Sequence, residues 1–104
     1  MHYAYILKSL SQPGAVYIGS TDNLRKRLRQ HNDSNHKSYS KRFAPWGVEM
    51  YLAFSDKKEA ERFEIYLKSN SGKAFMRKRL LSADFKEALK KFNNGRGEEV
   101  SGTG

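Results

Sequence analysis

His2-Tyr-Ala-Tyr-Ile-Leu-Lys8, then Ser11-Gln-Pro-Gly14, then Ala15-Val-Tyr-Ile-Gly-Ser20: these opening residues decide the reading of the chain. Both outer runs are rich in aromatic and β-branched side chains, which suit a pleated, half-buried surface. Between them Pro13 precedes Gly14 in the order a type II turn requires, so the stretch reads as a β-hairpin. Loop parity then decides the faces. An odd loop pairs Tyr5 near Gly19 and puts Tyr5 and Tyr17 on one face of the sheet, whereas an even loop turns the two rings to opposite faces. In the odd case Gly19 leaves a gap in front of Tyr5, where a phosphate can approach the backbone. The plainer alternative is two strand tyrosines that simply pack.

Outward from the hairpin, 22–30 reads as a helix capped by Thr21 or Asp22, with Leu24 and Leu28 as its apolar stripe. Arg27 and His31 stand one turn apart on a flank of that stripe. A guanidinium there can hold a phosphate bidentately, and an imidazole beside it can move a proton at neutral pH. The competing reading makes Arg27 one more solvated charge beside Arg25, Lys26 and Arg29. Residues 32–47 follow neither structural period and close on Pro45-Trp46-Gly47. A connection that long is often functional. A third strand is expected over 48–54, with Val48, Met50, Leu52 and Phe54 on one face.

Ser55 or Asp56 caps a second expected helix reaching Lys68, and Asp56 with Glu59 has capping-box spacing. Its stripe is Ala60, Phe63, Glu64 and Leu67. A third helical stretch is expected over 72–81. A fourth begins near Ser82, with Phe85, Ala88, Leu89 and Phe92 at helical spacing. The order is β-β-α-β-α-α-α, a small α/β (α+β) fold in which a sheet is covered by helices. Residues 1–92 form one domain, and 93–104, Gly-rich and nearly free of apolar side chains, form a flexible tail.

Glu64 is the most informative single residue, because it occupies a core position of its helix. Burying a lone carboxylate costs several kcal/mol unless it is paired or ligates a cation. A hard divalent cation such as Mg²⁺, completed by waters and substrate oxygens, satisfies it. So does an i, i+4 pair with Lys68 at the helix edge. No His/Asp/Glu cluster has metal-ligand spacing, and His2 and His36 read as surface residues.

Charge narrows the function classes. Among 104 residues, 20 Lys and Arg oppose 11 Asp and Glu, a formal charge of +9. An excess of that size in one small domain argues for a polyanionic partner. Basic residues cluster with aromatics: Arg25, Lys26, Lys37, Lys41 and Arg42 alternate with Tyr39, Phe43 and Trp46, and Lys73 belongs to a second basic run over 68–81. That is the pattern of a surface that tracks phosphates and offers stacking platforms. With no cysteine, disulfides, thiol nucleophiles, zinc fingers and iron–sulfur clusters are excluded. No apolar run is long enough to span a bilayer, and no secretory signal pattern opens the chain, so a cytoplasmic location and no membrane partner are expected.

Tyr3-Ala4-Tyr5, Tyr17-Ile18-Gly19, Arg27, His31 and Glu64 together resemble the GIY-YIG nuclease family. The second half of that signature is literal, while Tyr3-Ala4 replaces Gly-Ile in the first. The ordered pieces 17–21, 25–32, 60–68 and 67–75 resemble the small stand-alone bacterial members of that superfamily. They are also similar to the nuclease domain of the excision-repair incision subunit, which connects the family to DNA repair. The resemblance spans about residues 2–81. It implies a central three-stranded, mainly antiparallel sheet flanked by helices and a one-metal phosphodiesterase site acting on DNA. Tyr5 and Tyr17 then face the scissile phosphate, and one of them, helped by His31 or a nearby lysine, deprotonates the attacking water. Arg27 stabilises charge on phosphorus, and Glu64 holds one Mg²⁺ or Mn²⁺ ion. Gly19, Arg25, Lys26, Lys37, Tyr39, Lys41, Arg42 and Lys73 are the expected nucleic-acid contacts. A protein partner that supplies specificity is compatible with this reading. A nucleic-acid-binding module without turnover is the alternative, and a basic structural protein, which leaves Glu64 unexplained, is the third.

Overall fold

The computed structural model describes residues 1–33 and 39–80, with the side chains of residues 39 and 40 excepted. The elements run β1 (His2–Ser9), β2 (Val16–Thr21), α1 (Leu24–Asn32), α2 (Tyr39–Arg42), β3 (Trp46–Phe54), α3 (Lys57–Lys68) and α4 (Asn70–Phe75), followed by a π-helical turn, Met76–Leu80. The three strands form one antiparallel sheet in the order β2-β1-β3. This is the α+β arrangement expected from the sequence. The expected fourth helix and the tail lie outside the described residues, as do Lys37 and the side chain of Tyr39.

The hairpin turn sets the register. Pro13 and Gly14 occupy the centre of a turn closed by Ala15 N–H donating to the Gln12 carbonyl at 3.2 Å, and Gly14 takes the positive φ of 96° that this turn needs. Lys8 then pairs with Val16, Leu7 with Tyr17 and Tyr5 with Gly19. The loop is therefore odd, and the two tyrosines share a face. Ser9 braces the loop: its Oγ accepts from the Gln12 N–H at 2.9 Å and donates to the Phe43 carbonyl at 2.6 Å.

As the central strand, β1 is buried on both sides, so it reads as nearly continuous hydrophobe from Ala4 to Leu7. On one face Ile6, Val16 and Ile18 pack against Leu67 of α3 and Met76, with Met50, Phe63 and Leu80 at the margin. On the other, Tyr5, Leu7, Ala15 and Tyr17 pack with Phe43 and Trp46, closed over by Leu24 and Leu28 of α1. The sheet thus lies between an α1–α2 layer and an α3–α4 layer.

Several local expectations need correcting. Val48 does not share a face with Met50. A bulge at Glu49 sets Leu7 against Val48 and Ile6 against Met50, so Val48 joins the tyrosine face while Met50 joins the α3 face. Asn23 caps α1, rather than Thr21 or Asp22, its side chain accepting from the Lys26 N–H. Thr21 instead accepts from the Asn23 N–H, forming the turn that precedes the cap. Asp56 does cap α3, but Glu59 pairs with Arg62 and leaves the capping box half made. The segment expected to be aperiodic contains the single turn α2. The third helical stretch starts at Asn70, because Ser69 caps it by accepting from the Gly72 N–H.

Candidate active site

Four of the five candidate side chains converge on the tyrosine face. Tyr5 and Tyr17 lie nearly parallel, 12° between planes, with ring centroids 6.4 Å apart. Gly19 makes this possible: a Cβ there would stand 2.5 Å from the Tyr5 hydroxyl oxygen and 2.7 Å from the carbon bearing it. Glycine lets the phenol lie across its own strand partner, so the gap read from the sequence holds the Tyr5 ring itself.

From α1, Arg27 Nε donates to Tyr5 Oη at 3.3 Å, and His31 Nε2 stands 3.1 Å from the same oxygen. A guanidinium has donors only, so Oη accepts from Arg27 and can donate its proton to Nε2 of a neutral imidazole. The His31 ring also lies 4.2 Å from the Tyr17 ring centroid, and the residue is buried. Arg27 and His31 are one helical turn apart, and Leu24 and Leu28 bury the stripe beside them, which aims both at the sheet. The C-terminal end of α1 is fixed by Asn32, whose side chain accepts from the Trp46 N–H at 2.6 Å and donates to the Trp46 carbonyl at 3.2 Å. Sequence reading missed this clasp. Its signal was present, an asparagine at the helix end with no cap to form, but its partner lies in a distant strand.

Burial pushes the Tyr5 phenol up to about 12, against the opposing pull of Arg27. Tyr17 is raised too, by burial first, with Arg27 again opposing. The hydrogen bond to Tyr5 in turn raises the proton affinity of Arg27. At neutral pH the cluster is therefore two protonated phenols around one fixed cation. Tyr5 is fully enclosed, whereas Tyr17 retains 4% exposure.

Glu64 arrives from the opposite layer. It is close enough to raise both phenols electrostatically, yet it opens into a separate cavity of about 360 Å³ beside Ser20, Lys57 and Glu61. Ser20 Oγ donates to Oε1 and Lys68 Nζ to Oε2, each at 2.7 Å. The Lys68 pair weighed from the sequence is present, and Glu64 still sits at the seam between helix and sheet. Among the described residues no three acidic or histidine side chains are grouped closely enough to form an all-protein metal cage. One half-buried carboxylate opening into a cavity suits Mg²⁺ or Mn²⁺, which keep most of their waters and take substrate oxygens.

The remaining candidates spread out. Arg25 and Lys26 are exposed on α1, and Lys41 and Arg42 are exposed at α2, Arg42 lying 5.3 Å over the Phe43 ring. Lys73 lies on α4, in the other layer. The two basic runs therefore belong to opposite sides of the sheet rather than to one surface. No helix of the described residues is long and apolar enough to cross a membrane.

Comparison with known proteins identifies the family. The profile of the GIY-YIG catalytic domain matches residues 1–79. The chain belongs to the GIY-YIG family. It is 38% identical over 72 residues to a UPF0213 protein of Bacillus licheniformis, covering 69% of this chain and 72% of the relative. A UPF0213 protein of Clostridium perfringens is 35% identical over 68 residues, 65% of this chain and 71% of the relative. The structure-specific endonuclease subunit SLX1 of Malassezia globosa is 37% identical over 67 residues, 62% of this chain but 15% of that much longer protein. Of these relatives, the SLX1 protein is the one whose name states an activity, that of an endonuclease subunit.

Proposed function

We propose that this chain is a divalent-metal-dependent endonuclease that hydrolyses DNA phosphodiester bonds at the Tyr5–Tyr17–Arg27–His31 cluster. The carrying observation is Arg27: one half-buried cation held at a buried pair of protonated phenols, with an imidazole on the same hydroxyl, can be completed by an anion. A phosphate oxygen does so, and the preorganised guanidinium stabilises charge that grows in the transition state. Tyr17, the less enclosed phenol, meets the attacking water, and Tyr5 positions Arg27 and His31 from behind. Glu64 would hold Mg²⁺ or Mn²⁺, an ion that would polarise the phosphate and support the leaving oxygen. A cytoplasmic setting and a partner protein that adds specificity complete the reading; some relatives are themselves named as subunits.

The test is cleavage of supercoiled and branched DNA with Mg²⁺, Mn²⁺ or EDTA. Wild type is expected to nick with metal, while Glu64→Gln and Arg27→Ala, still folded by circular dichroism, do not. Cleavage by both variants at the wild-type rate refutes the assignment. A second reading, a binder without turnover, draws on Lys68 filling the second oxygen of Glu64. Salt-dependent binding by wild type without nicking in either metal selects it.

A further inference from the structure

Beside the Tyr5 cluster lies a cleft that the proposed chemistry does not use. We propose that this cleft, between Tyr3, Tyr51 and the start of α1, receives one unstacked nucleobase of the substrate strand. The proposal rests on the nuclease reading above and adds to it a requirement for an unpaired base next to the scissile phosphate.

The cleft encloses about 330 Å³. Two aromatics line it: the Tyr3 and Tyr51 rings meet edge to face, 5.8 Å apart and 74° between planes. Tyr51 is 53% exposed although it pairs directly with buried Tyr5 in the sheet. Tyr51 thus offers an open aromatic face beside a closed core, a platform on which a flat base can stack. Arg25 and Asp22 form the rim. That mixture selects the ligand. The Asp22 carboxylate repels a phosphate from the interior but accepts hydrogen bonds from the N–H groups of a base edge. Arg25 can stack on the base or hold the phosphate that follows it.

Position completes the argument. Tyr3 precedes Tyr5 by two residues on β1, so the cleft lies about 7 Å along the same face from the phenol cluster. A phosphate at Arg27 therefore puts a neighbouring base within reach of Tyr51. Only an unstacked base presents its flat face to a side chain, because a paired one is covered by its neighbours.

The experiment measures binding in EDTA, by fluorescence anisotropy at one salt concentration. The ligands are a short oligothymidylate and an abasic sugar-phosphate strand of the same length. Wild type is expected to prefer the base-bearing strand by about tenfold. Tyr51→Ala erases the preference and leaves abasic binding unchanged, whereas Tyr51→Phe keeps it. Equal binding of the two strands by wild type, or equal weakening of both by Tyr51→Ala, overturns the proposal. Absence of any binding overturns it together with the nucleic-acid reading. If the preference stands while Glu64→Gln cleaves as well as wild type, the cleft survives and the metal-site assignment falls.

Discussion

The two faces of the sheet come from alternate residues of the same strands, yet they carry opposite chemistry. Ile6 and Ile18 look toward α3 and pack with Leu67 and Met76 in an apolar cluster. Tyr5 and Tyr17, their neighbours in sequence, look toward α1 and meet a guanidinium and an imidazole. The period-two alternation of β1 and β2 thus separates stability from chemistry by one residue, and helix choice finishes the division: α3 presents Leu67, while α1 presents Arg27 and His31. Glu64 belongs to the α3 layer, bonded to Ser20 and Lys68, and reaches the phenols only through its charge.

Substitutions on each side should break the molecule differently. Leu67→Ala on the apolar face is expected to cost about 2–5 kcal/mol in urea unfolding, with the folded fraction still cleaving. Arg27→Ala on the other face is expected to slow cleavage by about 10²–10³-fold with little change in melting temperature. If Arg27→Ala unfolds the chain instead, the division between the faces is wrong.

Gly19→Ala tests the seam between the two roles. Its Cβ displaces the Tyr5 ring, so about 1–3 kcal/mol of stability and most of the cleavage should be lost together. Loss of only one of them means that the ring can move aside without harm. The phenols can then be told apart by pH. Both titrate above the ordinary tyrosine value of about 10, so each is protonated at neutral pH, and activity that needs a tyrosinate must rise as pH rises. Cleavage is expected to climb about tenfold per pH unit between about pH 7 and 9. Tyr17→Phe should flatten that slope, and Tyr5→Phe should lower the rate while preserving it. The smallest effect belongs to Lys68→Met, which removes the ammonium competing for Glu64. Mn²⁺ affinity, read by electron paramagnetic resonance, should rise about two- to fivefold. An unchanged affinity means that Lys68 does not oppose the metal.

What could be read in advance followed chain distance. Pro13-Gly14 is a local signal and marked the hairpin, but it left loop parity open; the register, the shared face of the tyrosines and the Tyr5 ring over Gly19 come from the pairing itself. Arg27 and His31 were legible because helical spacing is local too. Reading failed where a distant partner decides the outcome. The Glu49 bulge splits an apparently regular Val48, Met50, Leu52, Phe54 alternation, and only the pairing with β1 reveals it. The Tyr3–Tyr51 pair and the Asn32–Trp46 clasp each join residues too far apart in sequence for any period to link them. The two basic runs were legible as charge but not as geometry, since layer assignment placed Lys73 away from Arg25.

The Ser20–Glu64 hydrogen bond has a further consequence. Beyond the apolar packing of Leu67 on Val16 and Ile18, it is the polar link from the α3 layer to the edge strand, at the carboxylate itself. Helices open locally far more readily than whole domains unfold. A slight lifting of α3 would carry the acid away from the phenols while the hairpin and α1 stayed intact, leaving a folded but idle protein. Anything that grips or loosens that one helix, whether a partner or a bound strand, would then govern turnover from outside the reacting cluster.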